Sequence, residues 1–243
     1  MSNTLFIADL HLSADRPDIT AAFMRFMRDK ACSADALYVL GDLFEAWIGD
    51  DDHNPFTAEI KQAFKHLTDS GIPCYFIHGN RDFLIGKRFA KETGVQLLPE
   101  AQLIDLYGEP VLIMHGDSLC TRDLEYMAFR KKSRGWWWPR LMLALPLSKR
   151  RQIAENGRRK SQQNYQDKPQ EIMDVTPSEV TRVMREYKVN TLIHGHTHRP
   201  DIHHFDLDGH PAKRVVLGDW YSQSSLLRVT PEGMNLEYGA LDP

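Results

Sequence analysis

Cysteine is scarce in this sequence: Cys32, Cys74 and Cys120 are the only three in 243 residues. Their odd number and wide spacing argue against a disulfide framework, and no pair has the spacing of a zinc finger. Cys74 lies inside an apolar run, so the thiols read as idle groups in a reducing compartment. Long apolar runs are missing as well. No stretch approaches the roughly 18 residues needed to cross a bilayer. The opening Met1-Ser2-Asn3-Thr4-Leu5-Phe6-Ile7 has neither a basic region nor an extended apolar segment, and no signal peptide is expected from it. There are no internal repeats and no low-complexity tracts. What remains is a chain with 42% hydrophobic and 26% charged residues, suited to a globular protein with a substantial core, either soluble or seated on a membrane surface.

Short apolar runs at 4–8, 36–40, 74–77, 111–114 and 191–193 read as buried strands, and each ends in a loop bearing Gly, Asp or His. Between them, 17–30, 55–70, 87–93 and 177–188 carry amphipathic helical spacing. Pro17, Pro55 and Pro177 suit first-turn positions, and Thr176 suits an N-cap. This alternation predicts an α/β fold whose loops converge on one rim. From Asp201 onward the pattern is that of a β-meander with turns at Asp208-Gly209 and Glu232-Gly233. The segment from about 123 to 174 has helical spacing only. It reads as an insertion over the rim of a single domain spanning 1–243. Charge is uneven in the same place: between Arg122 and Lys168 there are 13 Lys and Arg against 4 Asp and Glu, a balance of +9 that leaves −12 on the rest of a chain with net charge −3. A basic segment of this kind points to an anionic partner.

Five blocks stand at the ends of the apolar runs: Asp9-Leu10-His11, Gly41-Asp42, Gly79-Asn80-Arg81-Asp82, His115-Gly116-Asp117 and His194-Gly195-His196-Thr197-His198. In an extended chain residues i and i+2 point the same way, so Asp9 and His11 can share an ion, as can His196 and His198. Asp42 has two oxygens with which to bridge two ions, Asn80 offers an amide oxygen, and His115 ends a further strand. The set has no thiolate, which favours Mn, Fe or Zn over copper or a cluster. Alone, each block would read as a turn or a hydrogen-bonded structural histidine; five in succession point to a paired-metal site that hydrolyses phosphate esters or anhydrides. His78 and His194 read as supporting or core residues, and His53, His66, His203, His204 and His210 as surface ones. Asp50-Asp51-Asp52 reads as a solvated loop.

The order D-x-H, GD, GN-x-D, HGD and GH-x-H over residues 9–198 resembles the signature of the calcineurin-like metallophosphoesterases. The resemblance implies a two-sheet β-sandwich flanked by helices. It also implies one metal held by Asp9, His11, Asp42 and His198, and a second by Asp42, Asn80, His115 and His196. Where that family usually has Gly-Asn-His-Asp, this chain has Arg81. A guanidinium is a poor proton donor but can clamp phosphate oxygens. The change suits a leaving group that needs no proton, as in a diphosphate; a simple pairing of Arg81 with Asp82 is the other reading. Asp42, Asn80, Arg81, His115 and His196 are therefore the candidate catalytic residues.

Within the insertion, Trp136, Trp137 and Trp138 cannot share one helix face, since successive residues rotate by about 100°. The Leu-rich run after them is flanked by Lys149-Arg150-Arg151. Such a segment suits an interfacial helix on anionic lipid, an acyl-chain groove, or a helix packed on the sandwich with a solvated basic face. Arg158, Ser161, Tyr165 and Lys168 recur on one helical face, either for a phosphate or sugar or as a solvated stripe.

The runs LFIADLHL, ALYVLGDLFEAWIGDD, CYFIHGNRDFLIGKRFA, VLIMHGDSLCTRD and LIHGHTHRP resemble more closely the UDP-2,3-diacylglucosamine diphosphatase family of lipid A biosynthesis. That resemblance implies hydrolysis of a lipid-linked nucleotide to UMP and 2,3-diacylglucosamine 1-phosphate, two Mn²⁺ ions, and a peripheral position on the cytoplasmic face of the inner membrane. It implies substrate contacts from Asn80, Arg81, Asp123, Ser161, Lys168 and His196; Arg158 and Tyr165 join them as candidates from the helical face, although many members have Asn at the position of Tyr165. The partners expected are the lipid nucleotide and an anionic membrane surface, with no nucleic acid and no protein partner. A nuclease on the same metal core would not need the Trp- and Leu-rich insertion, and a scaffold that had lost its metals would not keep the whole ligand set.

Overall fold

Side chains on successive residues of a strand face opposite ways, and in this chain both faces of each central strand are apolar, so each sheet must be covered twice. The computed structural model describes residues 2–167 and 170–241, without the side chains of 160–171; Lys168 and the side chains of Ser161 and Tyr165 therefore lie outside what is described. The first sheet contains β1 (Thr4–Ile7), β2 (Ala36–Val39), β3 (Cys74–Phe76), β4 (Gln96–Leu97), β10 (Gln223–Thr230) and β11 (Gly233–Ala240), in the order β11-β10-β1-β2-β3-β4. The second contains β5 (Ala101–Leu106), β6 (Glu109–Met114), β7 (Thr191–His194), β8 (Asp201–Leu207) and β9 (His210–Val216), in the order β5-β6-β7-β9-β8.

Phe6, Leu40 and Ile77 meet Val111, Ile113, Ile193 and Val215 between the sheets. One residue along, the other face takes over. Leu5, Ile7, Val39 and Phe76 pack under Ile19 and Phe23 of α1 (Pro17–Asp29), Ile60 and Phe64 of α2 (Pro55–Asp69) and Phe89 of α3 (Lys87–Thr93). Leu112, Met114 and Leu192 pack under Val180, Val183 and Met184 of α8 (Pro177–Tyr187). The result is the helix–sheet–sheet–helix layering of an α/β sandwich. Strands β1, β2 and β3 run parallel to one another, as do β6 and β7, so the loops leaving them open on one rim.

Several features depart from the sequence reading. The tail after Asp201 is not one meander: β8 and β9 form a hairpin in the second sheet, and β10 and β11 one in the first. The pairing of Thr230 with Gly233 puts that last turn at Pro231-Glu232. Strand β5, half-exposed and lacking a continuous apolar run, pairs with β6 across Tyr107-Gly108. Thr176 does occupy the N-cap position of α8, but its hydroxyl accepts a hydrogen bond from that of Thr121 (2.8 Å) instead of capping the helix. Most consequentially, Asp50-Asp51-Asp52 is not a solvated loop. Asp50 accepts N–H groups of Gly86, Arg88 and Phe89 (3.0, 3.1 and 3.0 Å), capping α3 from a distance. Asp51 and Asp52 each hold an arginine of the insertion.

The insertion folds as α4 (Leu124–Ser133), α5 (Trp138–Ala144), α6 (Leu147–Asp167) and α7 (Gln170–Met173). Trp136 and Trp137 stand in the bend before α5, so only Trp138 enters a helix; it packs against the core while Trp136 is 78% exposed. Seven of the eleven large hydrophobic side chains exposed among the described residues belong to α4–α6 or the bends between them, which makes this the apolar side of the surface. No described helix is long and apolar enough to cross a membrane. Two ionic anchors hold the insertion down, the first buried and the second partly exposed. At its start, buried Asp117 accepts from the Tyr126 hydroxyl (2.6 Å) and Arg130 Nε (2.9 Å). At the head of α6, buried Arg150 donates to Ile48 O and Asp51 Oδ1, both at 2.7 Å, and Arg151 pairs with Asp52 at 2.6 Å.

Two stability measurements follow from this packing. Ile113→Ala, between the sheets, lowers the unfolding free energy by about 2–5 kcal/mol in urea titrations, whereas Leu124→Ala on the exposed face of α4 changes it by less than about 0.5 kcal/mol. Asp117→Ala removes the buried acceptor of Tyr126 and Arg130, leaving the half-buried Arg130 to its pair with Glu100, and costs about 1–3 kcal/mol, with limited proteolysis in α4 appearing before cleavage of the sandwich.

Candidate metal centre

The loops after β1, β2, β3, β6 and β7 bring Asp9, His11, Asp42, Asn80, His115, His196 and His198 to the seam between the sheets. Their backbone is unusual. Among the described residues, eight non-glycine residues have positive φ, and five of them are Asp9 (55°), His11 (50°), Asp42 (51°), His196 (72°) and His198 (55°). Each such conformation costs on the order of 1–3 kcal/mol and persists only where the surroundings over-determine it. Here the loops pin one another: Asp9 N donates to Gly41 O (3.1 Å), His11 N to Asp42 O (3.0 Å) and Gly195 N to His115 O (2.9 Å). The carboxylates complete the lattice, since His196 N donates to Asp9 Oδ2 (2.7 Å) and Arg81 N to Asp42 Oδ1 (2.8 Å). The glycines of the blocks make this approach possible. A Cβ on Gly79 would overlap the Asp42 carboxylate, and one on Gly195 would overlap Asp9 Oδ2.

Asp42 stands in the middle. Its Oδ2 is 3.9 Å from His11 Nε2 and its Oδ1 is 3.9 Å from His115 Nε2. On the first side, His198 Nε2 is 3.5 Å from Asp9 Oδ1 and 3.4 Å from His11 Nε2. On the second, His115 Nε2 is 3.1 Å from Asn80 Oδ1, and the His196 ring centre is 5.0 Å from that of His115. His115 Nδ1–H donates to Leu40 O (2.8 Å), which leaves the Nε2 lone pair facing the amide oxygen of Asn80. Two groups of donor atoms that share Asp9, Asp9/His11/His198 and Asp9/Asp42/His115, each lie within 4.8 Å of one another.

Such a concentration of acceptors suits cations. Asp9 Oδ1 is buried and accepts no hydrogen bond. Burial opposes charge on Asp9, but His198, His115 and His11 overcome it and hold its carboxyl well below the usual carboxylate range. Burial likewise opposes charge on His198, yet Asp9 and Asp219 raise it to about 10. His115 is raised too, because Asp42, Asp9 and Asp117 outweigh its burial. His196 goes the other way: burial and the neighbouring His115 bring it down to about 4, so it is a neutral imidazole near pH 7. Hard oxygen donors mixed with imidazoles fit Mn²⁺, Fe²⁺ or Zn²⁺.

The remaining candidates fall into place as follows. Asp82 is buried, accepts the N–H groups of Leu43 (2.7 Å) and Gly79 (2.8 Å), and is pushed up to about 7 by its burial and by Asp42. Asp123 caps α4 by accepting from Tyr126 N (3.0 Å). Arg158 on α6 reaches Glu45 at 2.9 Å. His194 is a core residue: its Nδ1–H donates to Gly195 O (2.8 Å), Arg214 donates to its Nε2 (3.2 Å), and burial lowers it to about 3. His78 is held by its own bond to Ile85 O (2.7 Å).

Sequence reasoning missed four neighbours of the centre. Glu45 faces His11 Nδ1 at 3.3 Å, Asp219 faces His198 Nδ1 at 3.4 Å, and Tyr221 stacks on the His11 ring at 5.4 Å. Arg134 of α4 donates to Gly79 O (2.8 Å) and His78 O (3.2 Å), bracing the loop that carries Asn80. Only Glu45 had a local signal, three residues beyond Asp42; the others arrive from distant parts of the chain.

Residues 2–200 match the calcineurin-like phosphoesterase family. Full-length relatives are similar as well. A protein of Photobacterium profundum called UDP-2,3-diacylglucosamine hydrolase is 58% identical over 234 residues, covering 96% of both chains. One of the same name from an Enterobacter species is 58% identical over 233 residues, covering 96% of this chain and 97% of its own. Another, from Klebsiella pneumoniae, is 56% identical over 233 residues with the same coverages. With the strand-end ligand loops and the two-sheet sandwich, these likenesses show that the chain belongs to the calcineurin-like phosphoesterase family, alongside the relatives called UDP-2,3-diacylglucosamine hydrolases.

Proposed function

We propose that this hydrolase cleaves the diphosphate of UDP-2,3-diacylglucosamine, with water, to UMP and 2,3-diacylglucosamine 1-phosphate, using two Mn²⁺ ions at the cytoplasmic face of an inner membrane in lipid A biosynthesis. The observation that carries the reading is the position of Asp42, whose two oxygens each lie 3.9 Å from a histidine of a different donor group. Asp9, His11, Asp42 and His198 would hold one ion, and Asp42, Asn80, His115 and His196 the other. When bound, such a pair supplies an activated water and neutralises phosphoryl oxygens. The protein's part is to keep its ligands in the right form. The Leu40 carbonyl fixes the His115 tautomer, and burial keeps His196 unprotonated. Arg81, whose backbone N–H is fixed on Asp42, presents a permanent positive charge to the diphosphate. It need not donate a proton, because a sugar phosphate leaves as an anion whose second pKa is about 6.

The insertion supplies what a lipid substrate requires. Exposed Trp136, Trp137, Leu141 and Leu143 adjoin Arg140, Lys149 and Arg151 along the chain, an apolar surface with a cationic border suited to anionic headgroups. Arg158, on the helix that follows, and Asp123, at the start of the insertion, are candidate substrate contacts.

Offered UDP-2,3-diacylglucosamine, bis-p-nitrophenyl phosphate or single-stranded DNA with Mn²⁺, the protein is expected to release UMP from the lipid nucleotide alone, and to stop on addition of EDTA. In ¹⁸O-water the label should enter UMP. Asp42→Asn and His196→Ala abolish turnover, and Arg81→Ala lowers kcat by about 10²–10³-fold, the scale of a lost transition-state contact. Cleavage of DNA alone would overturn the reading. Separately, sedimentation with vesicles containing phosphatidylglycerol should exceed that with phosphatidylcholine alone, weaken with salt, and fall in Trp136→Ala/Leu141→Ala.

A further inference from the structure

Glu45 is a carboxylate that the hydrolytic scheme does not use, and its surroundings are specific. Its side chain is 8% exposed, so its charge is retained only by being paired. Oε2 lies 3.3 Å from His11 Nδ1, and Oε1 lies 2.9 Å from Nε of Arg158 on α6. The backbone fixes this arrangement. Leu12 N donates to Leu43 O (2.8 Å), Glu45 N returns a bond to Leu12 O (3.1 Å), and Leu12 and Phe44 form a parallel bridge. The loop carrying His11 and the loop carrying Glu45 therefore move as one unit. Tyr221 closes one face of the His11 ring at an interplanar angle of 13°.

We propose that Glu45 is a positioning residue that couples the insertion to the metal centre, orienting His11 for its cation with one oxygen and seating Arg158 with the other. The inference rests on the dimetal reading of the site. A carboxylate 3.3 Å from Nδ1, short of hydrogen-bond geometry, favours by its charge the tautomer whose proton sits on that nitrogen, which leaves the Nε2 lone pair for the cation and makes it a better donor. The same charge holds Arg158 at the edge of the centre, where an anionic or carbonyl oxygen of the lipid nucleotide must share it with Glu45. Loss of Glu45 thus weakens two things at once, cation affinity through His11 and substrate affinity through Arg158. A carboxylate that served only to dock α6 would affect the second alone.

Calorimetric titration of Mn²⁺ into the metal-stripped full-length chain separates these cases. Wild type takes up two ions. Glu45→Gln, which keeps the shape and removes the charge, binds one of them about 10–100-fold more weakly, the effect expected for a lost partner of a ligating histidine. Glu45→Asp recovers part of that loss, and Arg158→Ala leaves both affinities unchanged. At saturating Mn²⁺, Glu45→Gln regains kcat but keeps a raised KM. The double variant has a KM no higher than Arg158→Ala, because the two residues act as a pair. Unchanged Mn²⁺ binding by Glu45→Gln, or KM effects that multiply in the double variant, would overturn the coupling and leave the dimetal reading standing. A wild-type chain that takes up no Mn²⁺ would overturn that reading, and the coupling with it.

Discussion

Two carboxylates, Asp9 and Asp42, are buried at the seam of two sheets, and much of the molecule is organised to make that tolerable. Removing a carboxylate from water costs several kcal/mol unless donors and cations compensate it. Compensation comes from backbone N–H groups of His196 and Arg81 and from the surrounding imidazoles. Those groups lie on separate loops. They meet only because β1–β3 and β6–β7 are parallel and send their loops to the same rim. The apolar layers that stack the sheets thus also set the spacing of the charges.

The left-handed backbone at Asp9, His11, Asp42, His196 and His198 belongs to the same constraint. A side chain leaving an extended strand alternates above and below the sheet; a residue in the left-handed region swings aside and can face the seam. The strain is met by hydrogen bonds between loops that are distant in sequence, so no single loop would adopt this shape alone.

That division explains what could be read from the chain beforehand. Short unbroken apolar runs identified the central strands, since burial on both faces removes the polar alternation of a half-exposed strand. The blocks from Asp9 to His198 were legible because ligand chemistry needs particular residue types. Long-range pairing left no such trace. Asp50 looked like one of three solvated acids, yet besides the Trp47 indole its partners are backbone N–H groups 36 to 39 residues away. The two C-terminal hairpins looked like one meander because alternation along a strand says nothing about which sheet it joins. Asp219 and Tyr221 sit in the crossing between those hairpins, where no local pattern marks them.

The anchoring of the insertion carries a consequence for traffic through the site. Asp117 with Arg130 at one end and Asp51 with Arg150 at the other are bonds a hinged flap would have to break. Separating buried Asp117 from Arg130 costs on the order of 3 kcal/mol, and the half-exposed Asp51–Arg150 pair adds less, which together make the lifted form rare. On the proposed function, a product with two acyl chains would leave sideways, past the exposed tryptophans and leucines of α4–α6, and not by the roof lifting. The insertion is in this sense a fixed gangway from the metal centre to the exposed apolar side of the molecule.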